Sequence, residues 1–205
     1  MKYAFVLAFA LNKMYFCSHI LIAMILKRII LFLGILVALI LGYMYFYTDV
    51  FKTPLSPKDT VEIKLNDLKI EVFYNRPFKR EREIFGALVP YDLVWRTGAN
   101  EATTFETNKP LKIGNNSLAA GKYTLWTIPN DTLWKVIFNS KQYPWGVDET
   151  MQPMRQEAYD VLTYDAKPAS LENSVEQFTI AFDNSTDNLS LTMAWDIVKV
   201  IVPLK

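Results

Sequence analysis

The chain has 205 residues, 51% hydrophobic, 14% aromatic and 21% charged, a length for one ordinary domain plus a short addition, which excludes a multidomain machine. A formal net charge of +1 provides neither the basic excess of a nucleic-acid binder nor an acidic tail. The single Cys and single His, Cys17 and His19, lie close to the N-terminus, so everything downstream lacks the side chains most used for zinc sites, thiol chemistry and proton shuttling near neutral pH.

Residues 1–23 are apolar enough to insert into a membrane, yet Asn12, Lys13, Ser18 and His19 interrupt them, and a central Lys costs ~3 kcal/mol on insertion. Two readings follow. Translation from Met24 makes residues 1–23 a mis-assigned extension; otherwise they form an extra hydrophobic helix that hairpins back at Lys27-Arg28. Residues 29–47 carry no charge and, at ~1.5 Å per residue, span roughly the thickness of a bilayer core. Lys27 and Arg28 precede this run, and Tyr43, Tyr45, Phe46 and Tyr47 close it as an interfacial belt. Small residues for signal cleavage are missing from its exit. Residues 24–47 therefore read as an uncleaved signal anchor with the basic end cytoplasmic. The expected location is the membrane, single-pass, with the C-terminal domain extracytoplasmic, in the periplasm.

Residues 48–57, ending in Pro54-Leu55-Ser56-Pro57, read as a short stiff linker. Four of the 22 basic residues and none of the 21 acidic ones precede Thr48, so the remainder is slightly acidic. From residue 58 to 205 the hydrophobic period is two. Val61, Ile63 and Leu65 alternate with polar neighbours, as do Leu68, Ile70, Val72 and Tyr74. Similar runs recur at 122–128, 133–139, 158–165, 175–182, 189–195 and 197–202, separated by turn residues such as Asn66-Asp67, Gly114-Asn115-Asn116 and Pro129-Asn130-Asp131. The expectation is an all-β domain, a β-sandwich or partly open barrel of about nine strands, preceded by a transmembrane helix. Single helical turns are expected near 79–85 and 149–158.

The run Ile84-Phe85-Gly86-Ala87-Leu88-Val89-Pro90-Tyr91 followed by Val94-Trp95-Arg96-Thr97-Gly98-Ala99-Asn100-Glu101-Ala102-Thr103 resembles the DUF2911 family. Further matching segments include Tyr74-Asn75-Arg76-Pro77, Leu125-Trp126-Thr127-Ile128-Pro129, Trp134-Lys135-Val136-Ile137-Phe138-Asn139 and Trp145-Gly146, and together the matches cover about residues 56–202. The resemblance implies a β-rich domain of unknown function, common in exported proteins of Bacteroidota, and no known activity. The chain departs from the family in Asn75-Arg76-Pro77-Phe78-Lys79-Arg80-Glu81-Arg82, where S-R-P-S-V-K-G-R is usual, and in Thr163, where Arg is common.

Arg96, Thr97, Asn100 and Glu101 form the densest polar constellation. Gly98 allows the chain to turn between them. One reading is a recognition corner in which Arg96 grasps an anionic or hydroxyl-rich ligand and Glu101 accepts hydrogen bonds or serves as a catalytic acid/base. The structural alternative pairs Arg96 and Glu101 with each other or with buried backbone, fixing a tight corner of the sandwich. Arg76 is a further candidate for the same corner. Of five tryptophans, Trp95, Trp126, Trp134 and Trp195 lie in or beside strand runs and read as core, whereas Trp145 lies in a loop and is open to ligand stacking. Asp183, Ser185 and Asp187 have calcium-loop spacing, but Asn188 and Ala194 replace its Gly and closing Glu, so a hairpin loop explains them better. No metal set and no cofactor motif emerges. The functional expectation is a binding or structural module of the cell envelope, anchored in the membrane through residues 29–47, whose partner is an envelope glycan or envelope protein and not a nucleic acid. The enzymatic alternative is a carboxylate-dependent hydrolase of envelope glycans centred on Glu101 and Arg96.

Overall fold

The structure, a computed structural model, describes residues 2–47, 54–185 and 188–205, the first 20 of these by their backbone. Thr48–Thr53 of the expected linker and Asp187 of the hairpin loop lie outside the described residues. The chain divides into two units, Met1–Thr53 and Pro54–Lys205.

The first unit is one helix, α1 (Lys2–Tyr47). It runs through Lys27 and Arg28 without a break, so the turn that the second of the two N-terminal readings places there is absent; neither residue disfavours helix, and no Gly or Pro stands near to end it. The segment Ile22–Tyr47 is long and apolar enough to cross a membrane. Its large side chains, among them Leu31, Phe32 and Leu39, are exposed on every face, as suits a helix whose solvent is lipid.

Among its described residues the second unit has ten strands: β1 (Lys58–Leu65), β2 (Leu68–Asn75), β3 (Thr104–Thr107), β4 (Leu111–Ile113), β5 (Asn116–Leu118), β6 (Gly121–Ile128), β7 (Trp134–Asn139), β8 (Asp160–Ala166), β9 (Ala169–Asp183) and β10 (Ser190–Pro203). A six-stranded antiparallel sheet has the order β1-β2-β3-β6-β7-β8; β9 and β10 form a long ribbon, and β4 and β5 a small hairpin. The strands do not close into a barrel. The first hairpin pairs Leu65 with Leu68, and Asn66 takes the left-handed conformation (φ 52°) that the two-residue turn requires and Asn tolerates.

Alternation sends Ile70, Val72 and Tyr74 of β2 inward to meet Phe178, Ile180, Met193 and Trp195 of the ribbon. The sheet's other face carries a smaller cluster, Ala102, Trp126, Ile137 and Tyr143, which explains why β6 is buried on both sides. All of this core belongs to residues 54–205, so the unit has its own hydrophobic interior. Segment 76–79 ties the layers together. Phe178 N–H donates to Pro77 O (2.9 Å), Lys79 N–H to Glu176 O (2.6 Å), and the Tyr74 hydroxyl both donates to Ile180 O and accepts from Ile180 N–H.

Two expected strands, 189–195 and 197–202, are one. β10 passes through an irregularity at Asp196, whose φ of 51° shifts the register against β9 without ending the pairing. The helical turn expected at 79–85 is a pair of left-handed residues, Arg80 and Glu81, in a loop. Near 149–158 the one helical piece is the 3-10 helix Glu157–Tyr159.

Candidate functional site

The corner between β2 and β3 is built around Asn75, which has no exposed surface. Register pairs Lys58 with Asn75 across the first hairpin, and this delivers the Lys58 ammonium to the Glu101 carboxylate, which also accepts from Asn75 Nδ2 (2.8 Å). Lys58, then the Glu101 backbone and Asn75, hold this carboxyl below its usual range against the opposing effect of burial. Asn100, left-handed at φ 53°, donates from Nδ2 to Ser56 O (3.3 Å) and Asn75 Oδ1 (3.4 Å).

Thr97 is fully buried with φ 57°, an uncommon conformation for a β-branched residue. Three contacts hold it: its hydroxyl meets Thr127 Oγ1 (3.1 Å) and Trp95 O (3.4 Å), and its carbonyl accepts from Thr103 Oγ1 (2.7 Å). Thr97 is thus enclosed, with no face left for a ligand.

Arg96 and Glu101 do not pair. Lys58 has taken Glu101, and the Arg96 guanidinium turns to the backbone carbonyl of Trp145 (3.4 Å), so of the structural alternative the mutual pair is not made while a backbone contact is. Among the described residues no carboxylate pairs with Arg96. It is half-buried, and burial draws the guanidinium below its ordinary pKa while leaving it charged.

Arg96 lines a groove of about 850 Å³. Trp95 forms its aromatic wall, with the buried Trp195 stacked behind it, centroids 6.1 Å apart and planes at 17°. Phe85, Trp134 and Phe178 pack around them, and Trp95 Nε1 donates to Gly98 O (3.0 Å), so the wall is fixed. Leu88, Leu93 and Met151 border the groove and are exposed. Four arginines line it, Arg80, Arg82, Arg96 and Arg155, against one carboxylate, Glu157.

These cations differ in freedom. Arg155 is neutralised by Asp160 (2.5 Å from Nη2) and lies 3.4 Å from Glu157. Arg82 donates to Lys79 O and Phe78 O, and Arg80 to Leu55 O; carbonyls accept their hydrogen bonds without cancelling their charge. The facing loop, 145–156, is held by Asp148 Oδ1, which accepts from Thr150 N–H, Thr150 Oγ1 and Gln152 N–H. Gly146 (φ 81°) lies flat on Trp126, where a Cβ would meet Ala102, Arg96 and Trp126 within 3.1–3.3 Å. That close approach seats the Trp145 carbonyl beside Arg96.

Of the candidate residues, Arg96 and Asn100 line the groove; Glu101, Thr97, Arg76 and Trp145 do not. Arg76 is a structural clamp, donating to Phe178 O (3.2 Å), Asp59 Oδ2 (3.1 Å) and Thr179 Oγ1 (3.0 Å). Trp145 keeps a half-exposed ring and contributes only its carbonyl. Trp126, Trp134 and Trp195 are buried and Trp95 partly so, yet Trp95 and Trp195 serve the groove as well as the core. Asp183 Oδ1 accepts from Ser185 N–H and Oγ, an ordinary turn. Sequence reasoning missed Arg80, Arg82 and Arg155. The first two lay in plain view in the basic run 76–82, whereas nothing local marks Arg155. Among the described residues no group of three or more His, Cys, Asp or Glu is placed to hold a metal ion.

No curated protein and no solved structure gives a significant match to the chain. A family model described as "Protein of unknown function (DUF2911)" matches residues 56–204, which takes in the whole corner and every residue of the groove except Leu55. The chain therefore belongs to the DUF2911 family.

Proposed function

We propose that this protein is a membrane-anchored binding module of the cell envelope, with residues 54–205 on the extracytoplasmic side, whose groove takes an anionic small molecule. The observation that carries the reading is Arg96, a half-buried guanidinium that lines the groove and, among the described residues, has a lone carbonyl as its partner. A charge kept partly desolvated without a counter-ion is costly, and an incoming oxyanion supplies the missing partner in the fork geometry a guanidinium favours. Arg80 and Arg82 add positive potential. The apolar span Ile22–Tyr47, with Lys27-Arg28 at one end and tyrosines at the other, supports the anchor and its orientation.

The hydrolytic alternative has no comparable support. Glu101 is engaged by Lys58 and Asn75 and does not line the groove, and Glu157 is largely exposed. Inorganic phosphate or a short carboxylate, titrated at constant ionic strength, should raise the Tm of the wild-type protein and leave that of Arg96→Gln unmoved. Equal responses in both proteins, or none in either, would refute the reading.

A further inference from the structure

The groove has two chemically distinct parts. One is cationic: Arg96, Arg80 and Arg82, whose guanidinium groups pair with no carboxylate among the described residues, although Glu176 Oε1 accepts from the Arg80 backbone N–H (2.9 Å). The other is apolar: the partly exposed Trp95, backed by the buried Trp195 and bordered by Leu88, Leu93 and Met151, which are 45%, 58% and 62% exposed. A small inorganic anion would satisfy Arg96 and leave the apolar part wet. Large side chains gathered at the mouth of one cavity signal an apolar occupant, because such patches cost free energy when left in water. The volume, about 850 Å³, is in the range of sites that enclose whole small molecules rather than single ions.

We infer that the ligand is a single-headed anionic amphiphile, its phosphate or carboxylate head on Arg96 and its apolar tail against Trp95, which the buried Trp195 backs, and the exposed Leu88, Leu93 and Met151. The inference rests on the anion-binding reading above and adds the tail to it. Charge complementarity selects the head: zwitterionic or cationic heads would bring a positive group against Arg80 and Arg82. The rigid aromatic wall selects the tail, since it is formed before binding and has little conformational entropy left to lose.

The test uses residues 54–205, the unit that contains its own core, and repeats the key titration on the full chain in zwitterionic nanodiscs. Octyl phosphate, octanoate, methyl phosphate, octyl phosphocholine and octanol are titrated below their micellar concentrations, with tryptophan fluorescence and calorimetry as readouts. Octyl phosphate or octanoate should bind at least about tenfold tighter than methyl phosphate, since each buried methylene adds a favourable transfer term. Arg96→Gln should weaken the tailed anions roughly tenfold or more. Leu93→Ser, at an exposed position, should weaken octyl phosphate more than methyl phosphate. Equal affinity for methyl and octyl phosphate would overturn the amphiphile while leaving the anion site standing. Octanol binding as tightly as octyl phosphate, and equally to Arg96→Gln, would overturn both. A dimer in solution that covers Leu93 and Met151, or displacement of octyl phosphate by a peptide with an apolar C-terminal residue that binds more tightly, would assign the groove to a protein occupant and overturn the inference.

Discussion

Arg76 directs its guanidinium at three acceptors within the fold, one of them the Asp59 carboxylate, whereas the Arg96 guanidinium has, among the described residues, the Trp145 carbonyl alone. Arg76→Ala should therefore cost about 2–3 kcal/mol in denaturant unfolding, because it strands acceptors between the two layers. Arg96→Ala should change stability by less than about 1 kcal/mol. The Glu101 partnership makes a second, sharper statement: the double mutant Arg96→Ala/Glu101→Ala should be additive within ~0.5 kcal/mol, while Asn75→Ala/Glu101→Ala should show coupling above that. Coupling in the first cycle would place the two charges together after all. Trp126 is also distinctive, since its Nε1 is buried without an acceptor. A desolvated, unpaired donor costs ~1–3 kcal/mol, so Trp126→Phe should destabilise less than Trp195→Phe, where the indole N–H donates to Glu176 O.

At the scale of elements, the turn Arg96–Thr103 packs closely against β2 at Gly98. A Cβ on Gly98 would lie 2.9 Å from the Asn75 carbonyl and 3.2 Å from Thr103 Oγ1. The backbone of β2 cannot retreat, because Asn75 is paired with Lys58 in the hairpin and buried. Gly98→Ala should lower stability by roughly 2 kcal/mol or more and lower the Tm accordingly. A melt within a degree of wild type would show that the corner yields. Elsewhere β9 and β10 accommodate an irregularity more easily. Asp196 turns through φ 51°, pairs with Lys79 and accepts from Ser174 Oγ (2.8 Å), so a break in register becomes a tie to segment 76–79.

Across the whole molecule, several carboxylates are held below their usual range. Lys64 and Lys69 do this for Glu62, Lys58 for Glu101, Thr150 and Gln152 for Asp148, and Ser185 for Asp183. For Asp196, burial pushes upward, and Lys79 with Ser174 outweighs it. Because their folded pKa values lie below the unfolded ones, these groups contribute stability that is complete above about pH 4.5 and is lost as pH falls through the folded values. The Tm should fall as pH drops below about 4, modestly because most of these groups are solvent-screened, and Glu101→Gln should show a shallower acid slope than wild type. The anchor makes a separate prediction: protease added to spheroplasts should remove residues 54–205 and leave Ile22–Tyr47 in the membrane. A protected domain would reverse the proposed orientation.

Period-two alternation, turn residues and one long charge-free run sufficed for an all-β domain behind an apolar helix, because these features depend on neighbours two to four positions apart. The short strands β3, β4 and β5 escaped because three or four residues carry too little periodicity to register. Joining 189–195 to 197–202 needed the facing strand β9, whose hydrogen bonds carry β10 through Asp196. The corner was legible as composition but not as partnership: Arg96 and Glu101 look like a pair in the sequence, and only the β1–β2 register, which brings in Lys58 from far away, decides otherwise. The groove belongs wholly to tertiary structure. Its arginines come from three separated segments and its aromatic wall from two, and no local spacing relates them until the sheet and the ribbon pack.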